Sequence, residues 1–350
     1  MPDRRRFMQS LLALASLATL PATAANAATG GAETGASKLP TGGAPATPHT
    51  TQAPGFFRLP VGGVTVFALF DAHGKLDPAI LHGADRKDID ALLEDAGIPA
   101  GQPATSNVNC FLLDAGTRRV LMDTGAGAFF GARGGYLPDN LRAAGYTPGG
   151  IDHVLLSHLH PDHALGLVDA AGAPVFPGAR VHVSAPELDY WTSDATFSAA
   201  PEGRKAGLLA LRKALAPYKN SGRLHTFAPG AAPLAELPIV TSVDLPGHTP
   251  GHCGFRVASG GTALLFWADI IHSTPVQFAR PDVSIDFDVD QKAAVATRLR
   301  LLPQVAAEGC WVAGSHLPFP GLGRVRARNG GKGDGKDGYA WLPVNYADGL

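Results

Sequence analysis

Short apolar segments separated by Gly- and Pro-rich turns recur along the chain from residue 56 onwards. Residues 56–70 alternate apolar and small side chains around Gly62-Gly63, which predicts a β-hairpin. Residues 108–113 and 120–123 predict a second hairpin, joined by a turn at 114–116. Apolar, β-branched runs predict further strands, at 151–156, 181–184, 263–269, 311–316 and 339–344.

Helical periodicity occurs in fewer segments. The predicted helices are 88–96, 137–145, one that starts at Pro186, 206–215 and 290–307. The polar, Gly- or Asp-rich stretches at 71–87, 284–290 and 328–338 predict loops. Because hairpins come early and helices are interleaved with strands later, the order favours a mixed sheet over a doubly wound parallel one.

The strand predicted at 151–156 leads directly into a cluster of metal-ligand residues, His158-Leu159-His160-Pro161-Asp162-His163. Imidazole nitrogens and carboxylate oxygens are preferred ligands of zinc and similar divalent ions. One histidine alone is usually an ordinary residue, but four candidate ligands in six positions predict metal binding. His158 and His160 can face one ion from an extended turn, whereas Asp162 and His163 diverge towards a second. Two ions are therefore expected, at the carboxyl edge of the sheet, where active sites of open α/β sheets usually lie.

Three more candidate ligands lie at the ends of predicted elements. His248 occupies a turn bounded by Gly and Pro, and Asp269 and His316 each end an apolar strand. A charge at the end of so apolar a run must be paired or metal-bound if it is buried. An anionic oxygen can bridge two cations, which a neutral imidazole cannot do, so Asp269 is the expected bridge.

The remaining histidines have weaker patterns. His252 is expected to support its own turn, and His272 to line a pocket. His153 and His182 are expected to be structural. Asp123, at the end of the second hairpin, is either a turn residue or a carboxylate that orients a ligand imidazole through its other nitrogen.

Tyr190, Trp191 and Phe197 form an aromatic group in a chain that is poor in aromatic residues. Simple packing explains such a group, and a pocket wall above the metals is the alternative.

The first 54 residues are expected to lie outside the folded domain. Residues 1–27 have the basic start, short apolar run and small-x-small site of a signal peptide, and Arg4-Arg5 followed by Phe7 suggests twin-arginine export. Residues 28–54 are rich in Gly, Ala, Thr and Pro and read as a linker. Residues 55–350 then form a single domain, and the protein is expected to be periplasmic or secreted, without a membrane anchor.

Charge and cysteine content exclude several classes of protein. The formal net charge is −1, and it becomes −3 when residues 1–27, with three Arg and one Asp, are removed. Neither value favours binding to nucleic acid or to an anionic membrane. Three cysteines are too few for a disulfide scaffold, and an odd number leaves at least one free thiol.

These motifs resemble the metallo-β-lactamase superfamily in its two-metal hydrolase form. Within it, the chain is most similar to methyl parathion hydrolases and related secreted lactonase- and esterase-like enzymes. The resemblance runs from about residue 56 to 346. It is carried by the ligand residues and by the stretches 121–126, 140–146, 268–272, 276–278, 314–321 and 342–346.

The resemblance implies an αββα sandwich, with two mixed sheets flanked by helices and the metals at one edge. One ion, expected to be Zn²⁺, would be held by His158, His160 and His248. The second ion would be held by Asp162, His163 and His316, with Asp269 as the bridge. Phe130 and Trp191 match aromatic positions of the pocket wall, with His272 beside them. A third aromatic position falls on Leu208-Leu209, a departure that weakens the case for aryl phosphotriesters as efficient substrates.

The implied reaction is hydrolysis by a hydroxide held between two metal ions. The expected substrates are small neutral esters such as lactones or aryl esters, with phosphotriesters as further candidates, and Asp162 or Asp269 is the candidate acid–base group. A β-lactamase and a glyoxalase-type thiolester hydrolase are the enzymatic alternatives. A non-catalytic periplasmic metal-binding protein is the alternative of another class. Relatives are often dimers, so a homodimer is a further expectation.

Overall fold

The computed structural model describes residues 52–328 and 338–349, and in them the strands form two large sheets and one small one. The first sheet has the order β1-β2-β4-β5-β6-β7-β8. Its strands are β1 (Phe56–Val61), β2 (Val64–Leu76), β4 (Ala104–Asp114), β5 (Arg119–Met122), β6 (His153–Leu155), β7 (Arg180–Ser184) and β8 (Leu224–Phe227). It begins antiparallel and becomes parallel from β5 to β8.

The second sheet has the order β15-β14-β13-β11-β10-β9. Its strands are β9 (Val240–Asp244), β10 (Cys253–Ser259), β11 (Thr262–Ala268), β13 (Trp311–Gly314), β14 (Leu322–Ala327) and β15 (Tyr339–Pro343). Only β11 and β13 pair in parallel within it. The small sheet pairs β3 (Leu81–His82) with β12 (Ser284–Ile285). Both large sheets are therefore mixed, as the order of elements predicted.

Eight α-helices occur in the described part of the chain. They are α1 (Arg86–Asp95), α2 (Leu137–Ala143), α3 (Pro161–Ala164), α4 (Ala185–Thr192), α5 (Asp194–Ala199), α6 (Glu202–Asn220), α7 (Thr274–Ala279) and α8 (Gln291–Glu308). None of them combines the length and apolar character that a membrane-spanning helix needs.

The core has three main layers. Between the sheets, Phe111, Leu155 and Phe255 belong to one buried cluster with other inward-facing strand residues. Outside the first sheet, a second cluster joins its outer face to α2 and α6, and outside the second sheet a third joins its outer face to α7 and α8. This arrangement is the predicted αββα sandwich, because each sheet has one face against the other sheet and one against helices.

Most predicted elements are present, and the largest difference concerns the segment 71–87. It was expected to be a loop, but β2 continues through Leu76 and pairs with β4 down to Ala104, with an irregularity between Phe70 and Ala72. Asp71, His73 and Gly74 have poor strand propensity, and pairing with β4 overrides it. The helix predicted at 206–215 likewise extends over Glu202–Asn220.

Several expectations fall outside the described residues. The signal peptide at 1–27 and the linker as far as residue 51 lie there, as do residues 329–337 of the loop predicted at 328–338. All three cysteines, Cys110, Cys253 and Cys310, are free and buried.

Candidate metal centre

The seven candidate ligands converge from five segments at one edge of the sandwich. His158 and His160 follow β6, and Asp162 and His163 lie in α3 directly after them. His248 comes from the loop between β9 and β10, Asp269 follows β11, and His316 follows β13. The two sheets thus each deliver ligands to the same edge.

The first group consists of three imidazoles that face one another. Nε2 of His158 lies 3.1 Å from Nδ1 of His160, which lies 2.9 Å from Nε2 of His248. These atoms and a carboxylate oxygen of Asp269 all lie within 4.8 Å of one another. The second group contains Asp162, whose Oδ2 lies 3.6 Å from Nε2 of both His163 and His316.

Asp269 joins the two groups through one oxygen. Its Oδ2 lies 3.2 Å from Nε2 of His248 and 3.7 Å from that of His158. The same oxygen lies 3.3 Å from Nε2 of His163 and 2.9 Å from that of His316. One anionic oxygen therefore reaches both groups, which is the position expected for a bridge.

The chemistry of this donor set fits divalent cations. Nε2 of His163 and Oδ1 of Asp269 are buried, and neither has a hydrogen-bond partner among the described residues. Unpaired buried polar atoms are costly unless something else binds them. Burial, reinforced by the neighbouring imidazoles, holds the pKa of His158 and His160 well below the ordinary value, so both rings are neutral. Neutral imidazole is the form that binds metal.

The same electrostatics keep Asp269 ionised. Burial alone would raise the pKa of its carboxyl group, but His163, His316 and His158 outweigh burial and hold it well below the ordinary range. Although burial opposes the effect, neighbouring carboxylates that include Asp269 raise the pKa of His163, His248 and His316, so a cation bound beside Asp269 would displace protons from these rings.

Carboxylates behind the ligands orient two of the imidazoles. Oδ2 of Asp123 lies 2.8 Å from Nδ1 of His163, and Oδ1 of Asp288 lies 2.9 Å from Nδ1 of His248. Each contact leaves Nε2 of its ring directed at the centre, as in carboxylate–histidine–metal arrangements. For Asp123, this is the contact that the orienting hypothesis required, and the residue has a positive φ of 60°.

Sequence reasoning missed Asp288, which was read only as part of an acidic loop. It lies 40 residues from His248, and no local spacing connects the two. The buried Glu187 of α4 was also missed, since one Glu in a predicted helix gives no signal of burial.

Two of the three predicted pocket residues contact this centre. Trp191 packs edge-on against His160 at a centroid distance of 5.3 Å, and His272 stacks on His316 at 4.8 Å. Nε2 of His272 is 3.1 Å from Oδ2 of Asp269, so Asp269, His272 and His316 form a further group able to hold an ion. Phe130 lies on the 3₁₀ segment Gly127–Arg133, which contacts α3.

Other histidines and the Leu pair have different surroundings. His252 supports its turn, since Nδ1 lies 2.9 Å from the Leu245 carbonyl oxygen, and its Nε2 accepts from the Asp269 amide at 3.3 Å. His153 and His182 lie 3.1 Å apart in β6 and β7, outside the ligand groups. In the pair on α6, Leu208 is buried and Leu209 is exposed.

Comparison with known proteins agrees with this geometry. The family model described as Metallo-beta-lactamase superfamily matches residues 104–307, a span that contains every candidate ligand except His316. No curated protein sequence matches the chain closely enough to count as a relative.

Three of the solved structures that resemble this chain illustrate the relationship. The hydrolase AbOPH of the beta lactamase superfamily is 32% identical, with a TM-score of 0.78 over 84% of this chain and 99% of AbOPH. AidC, a dizinc quorum-quenching lactonase solved with its product, is 28% identical, with a TM-score of 0.73 over 83% of this chain and 98% of AidC. A probable metal-dependent hydrolase from Staphylococcus aureus, 20% identical, shares the fold, with a TM-score of 0.62 over 82% of this chain and 100% of that one.

The matched family model, the αββα sandwich and the His/Asp groups at its edge lead to one conclusion: the chain belongs to the metallo-β-lactamase superfamily and is a hydrolase of that superfamily.

Proposed function

We propose that this protein is a dinuclear metal-dependent hydrolase of small neutral esters, with lactones as the first substrate class. The observation that carries the proposal is the position of Asp269, whose Oδ2 lies within 3.7 Å of imidazole nitrogens from both ligand groups. A carboxylate that reaches both groups suits two ions held side by side. AidC, a dizinc lactonase that matches over most of the chain, supports the same choice of metal and substrate.

Each candidate ligand can be assigned to one of two ions or to the bridge between them, and two carboxylates behind them can be assigned an orienting role. His158, His160 and His248 would hold one ion and Asp162, His163 and His316 the other, with Asp269 between them. Two zinc ions bound there would act as Lewis acids that polarise the ester carbonyl and lower the pKa of water. Asp123 and Asp288 keep the rings of His163 and His248 in place.

Proton transfer can be assigned to the carboxylates at the centre. The Asp162 side chain is 19% exposed and that of Asp269 is 2% exposed, so Asp162 has better access to substrate and solvent. No separate Ser or Cys nucleophile is required. Cys253 is buried, and burial raises the pKa of its thiol to about 12, which leaves it unreactive.

The pocket wall favours an apolar substituent on the substrate. Trp191 presents its ring beside His160, and Phe130 packs with Ala72, Val108 and Ala126 on the neighbouring segment. Aromatic and aliphatic walls of this kind bind acyl or aryl groups. At the position where the family resemblance expects a third pocket aromatic, the chain has Leu208-Leu209, which makes an efficient phosphotriesterase of the methyl parathion hydrolase type the second choice.

The alternatives predict different behaviour. A β-lactamase or a glyoxalase-type hydrolase would cleave its own substrate class in preference to lactones, and a metal-binding protein would cleave none. The proposal further places the mature protein in the periplasm or outside the cell, on the basis of residues 1–27, and expects a homodimer by analogy.

A chelator-controlled activity screen tests the proposal. The zinc-loaded protein and its metal-free form are compared on N-acyl-homoserine lactones, aryl esters, a thiolester, a phosphotriester and a β-lactam. We expect the largest kcat/KM on a lactone or aryl ester, with loss of activity on chelation and recovery with Zn²⁺. A higher kcat/KM on the β-lactam or thiolester, or no metal-dependent hydrolysis at all, would contradict it.

A further inference from the structure

Glu187 is a buried carboxylate beside the metal centre to which no role has yet been given. It lies in the first turn of α4, and its exposed fraction is 0%. Burial raises the pKa of such a group, and hydrogen bonds oppose the effect. A carboxylate kept in the interior therefore needs donors around it.

Four donors surround this carboxylate. Oε1 accepts from the Leu159 amide at 2.9 Å and from Nε1 of Trp191 at 2.6 Å. Oε2 accepts from Oγ1 of Thr249 at 2.7 Å and from the Gly251 amide at 2.9 Å. Both oxygens are fully used, and every partner is a donor, which suits the ionised form.

The donors belong to segments that carry or contact the ligand group His158, His160 and His248. Leu159 lies between His158 and His160, and Thr249 follows His248. Trp191 packs against the ring of His160. None of the four donors belongs to, or adjoins, the group Asp162, His163 and His316.

The loop that carries His248 packs closely against Glu187. A Cβ atom added to Gly251 would lie 2.3 Å from the Glu187 backbone nitrogen and 2.7 Å from its Cβ. In addition, Oγ of Ser184 donates to the Gly251 carbonyl at 2.6 Å. Gly251 thus allows the loop to approach α4 closely enough for Glu187 to accept from it.

We propose that Glu187 is a positioning residue that assembles the group His158, His160 and His248 without acting on the other group, and that it couples this group to the Trp191 pocket wall. The inference rests on the proposed function only in assuming that this group holds an ion. Glu187 fixes the peptide between two of the imidazoles and the turn that carries the third. Without it, two loops must be ordered when the ion binds, and the affinity for that ion falls.

The test uses Glu187→Gln in the full-length protein. The amide keeps the size of the side chain but replaces one accepting oxygen with an NH₂ group, which faces donors. We expect chelator-treated wild-type protein titrated with Zn²⁺ to bind about two ions per chain. In the variant, one ion should bind 10- to 100-fold more weakly while the other keeps its wild-type affinity. Glu202→Gln is the matched control, since this exposed Glu of α6 should leave both ions unchanged.

Double variants identify which ion is affected. Glu187→Gln combined with His160→Ala should bind as many ions as His160→Ala alone, because both changes act on one group. Glu187→Gln combined with His316→Ala should retain neither tight ion. Thr249→Val, which removes one of the four donors, provides a milder variant if Glu187→Gln does not fold, and it should weaken the same ion several-fold.

Two results would overturn the inference. The first is wild-type affinity for both ions in Glu187→Gln, or in Thr249→Val if Glu187→Gln does not fold. The second is an equal loss of both ions in a variant that stays folded. Failure of the proposed function would be visible separately, because the wild-type protein would then bind fewer than two ions before any substitution is made.

Discussion

Four buried carboxylates around the centre have three kinds of surroundings, and these decide what each can do. Asp269 lies between the two imidazole groups, Asp123 and Asp288 lie behind one imidazole each, and Glu187 lies behind two loops. Carboxylates of the same chemical type thus bridge, orient or position according to whether they reach both ligand groups, one candidate ligand imidazole, or the loops that carry the imidazoles.

Asp269→Ala should have the largest effect of any single substitution at the centre. It removes the oxygen that contacts both groups, so we expect turnover to fall at least about a hundredfold and metal content to fall with it. Metal analysis and steady-state kinetics measure both quantities. Asp139→Ala, at an exposed position of α2, is the control. Wild-type turnover in Asp269→Ala would show that the bridge is misassigned.

At the scale of elements, the ligands depend on close packing between turns. The Thr124 amide and hydroxyl both donate to the His163 carbonyl at 2.8 Å, and the Gly166 amide donates to the Gly125 carbonyl at 3.0 Å. The turn after β5 and the end of α3 are therefore joined backbone to backbone. A side chain at Gly166 would stand between them.

Gly166→Ala should destabilise the protein by about 2–3 kcal/mol and disturb the ligand group that contains His163. The added Cβ would lie 1.9 Å from the Thr124 carbonyl oxygen, so backbone must move. Gly207→Ala, inside α6 with nothing within 4 Å of the added Cβ, should instead be neutral or stabilising because alanine favours helix. Denaturant unfolding compares the two variants. Equal stabilities would contradict the packing argument.

At the scale of the whole molecule, the first sheet also carries a second cluster of histidines, which lies outside the candidate ligand groups. His153 and His182 lie on neighbouring strands 3.1 Å apart, His225 stacks on His182 at a centroid distance of 5.3 Å, and Glu236 is 3.0 Å from Nε2 of His153. Among the described residues, these histidines contact one another and Glu236 and belong to none of the groups able to hold an ion. The chemical consequence of this cluster is for stability against pH.

The cluster should make the fold less stable in mild acid. Burial, followed by the neighbouring His153 and His225, lowers the pKa of His182 to about 4 from 6.5. Because the unfolded chain takes up the proton first as pH falls, the stabilisation is complete above about pH 6.5 and is lost towards pH 4. At pH 5 the loss should be about 2 kcal/mol.

Denaturant unfolding of wild type and His182→Gln between pH 7.5 and 5 measures this effect. The wild-type free energy of unfolding should fall more steeply than that of the variant, since Gln does not titrate. Parallel pH profiles would exclude His182 as the source.

The proposed export concerns the whole chain and is tested by substitution in residues 1–27. Arg4→Lys combined with Arg5→Lys should block export by the twin-arginine route, because that route reads the paired guanidinium groups. Arg6→Lys keeps the pair and serves as the control. An unchanged periplasmic yield of the double variant would point to another signal.

Much of the fold was predictable because its local rules are strong. Both hairpins, the strands that precede the ligands and the long helix α8 follow from polarity patterns, and their bounds differ from the predicted ones by a few residues. The extension of β2 beyond Phe70 was not predictable, since its residues favour a loop and only pairing with β4 makes them a strand.

The sequence alone was enough to single out the candidate ligand residues, because four donors in six positions and single donors at strand ends are local patterns of ligand chemistry. The family resemblance already implied how these residues divide into two groups, but only the tertiary structure decided which carboxylates stand behind them. Asp288 contacts His248 across 40 residues of chain, and Glu187 contacts the Leu159 amide across 28 residues and Thr249 across 62. Such contacts depend on how the two sheets bring distant loops together, and no pattern within a short window of sequence carries that information.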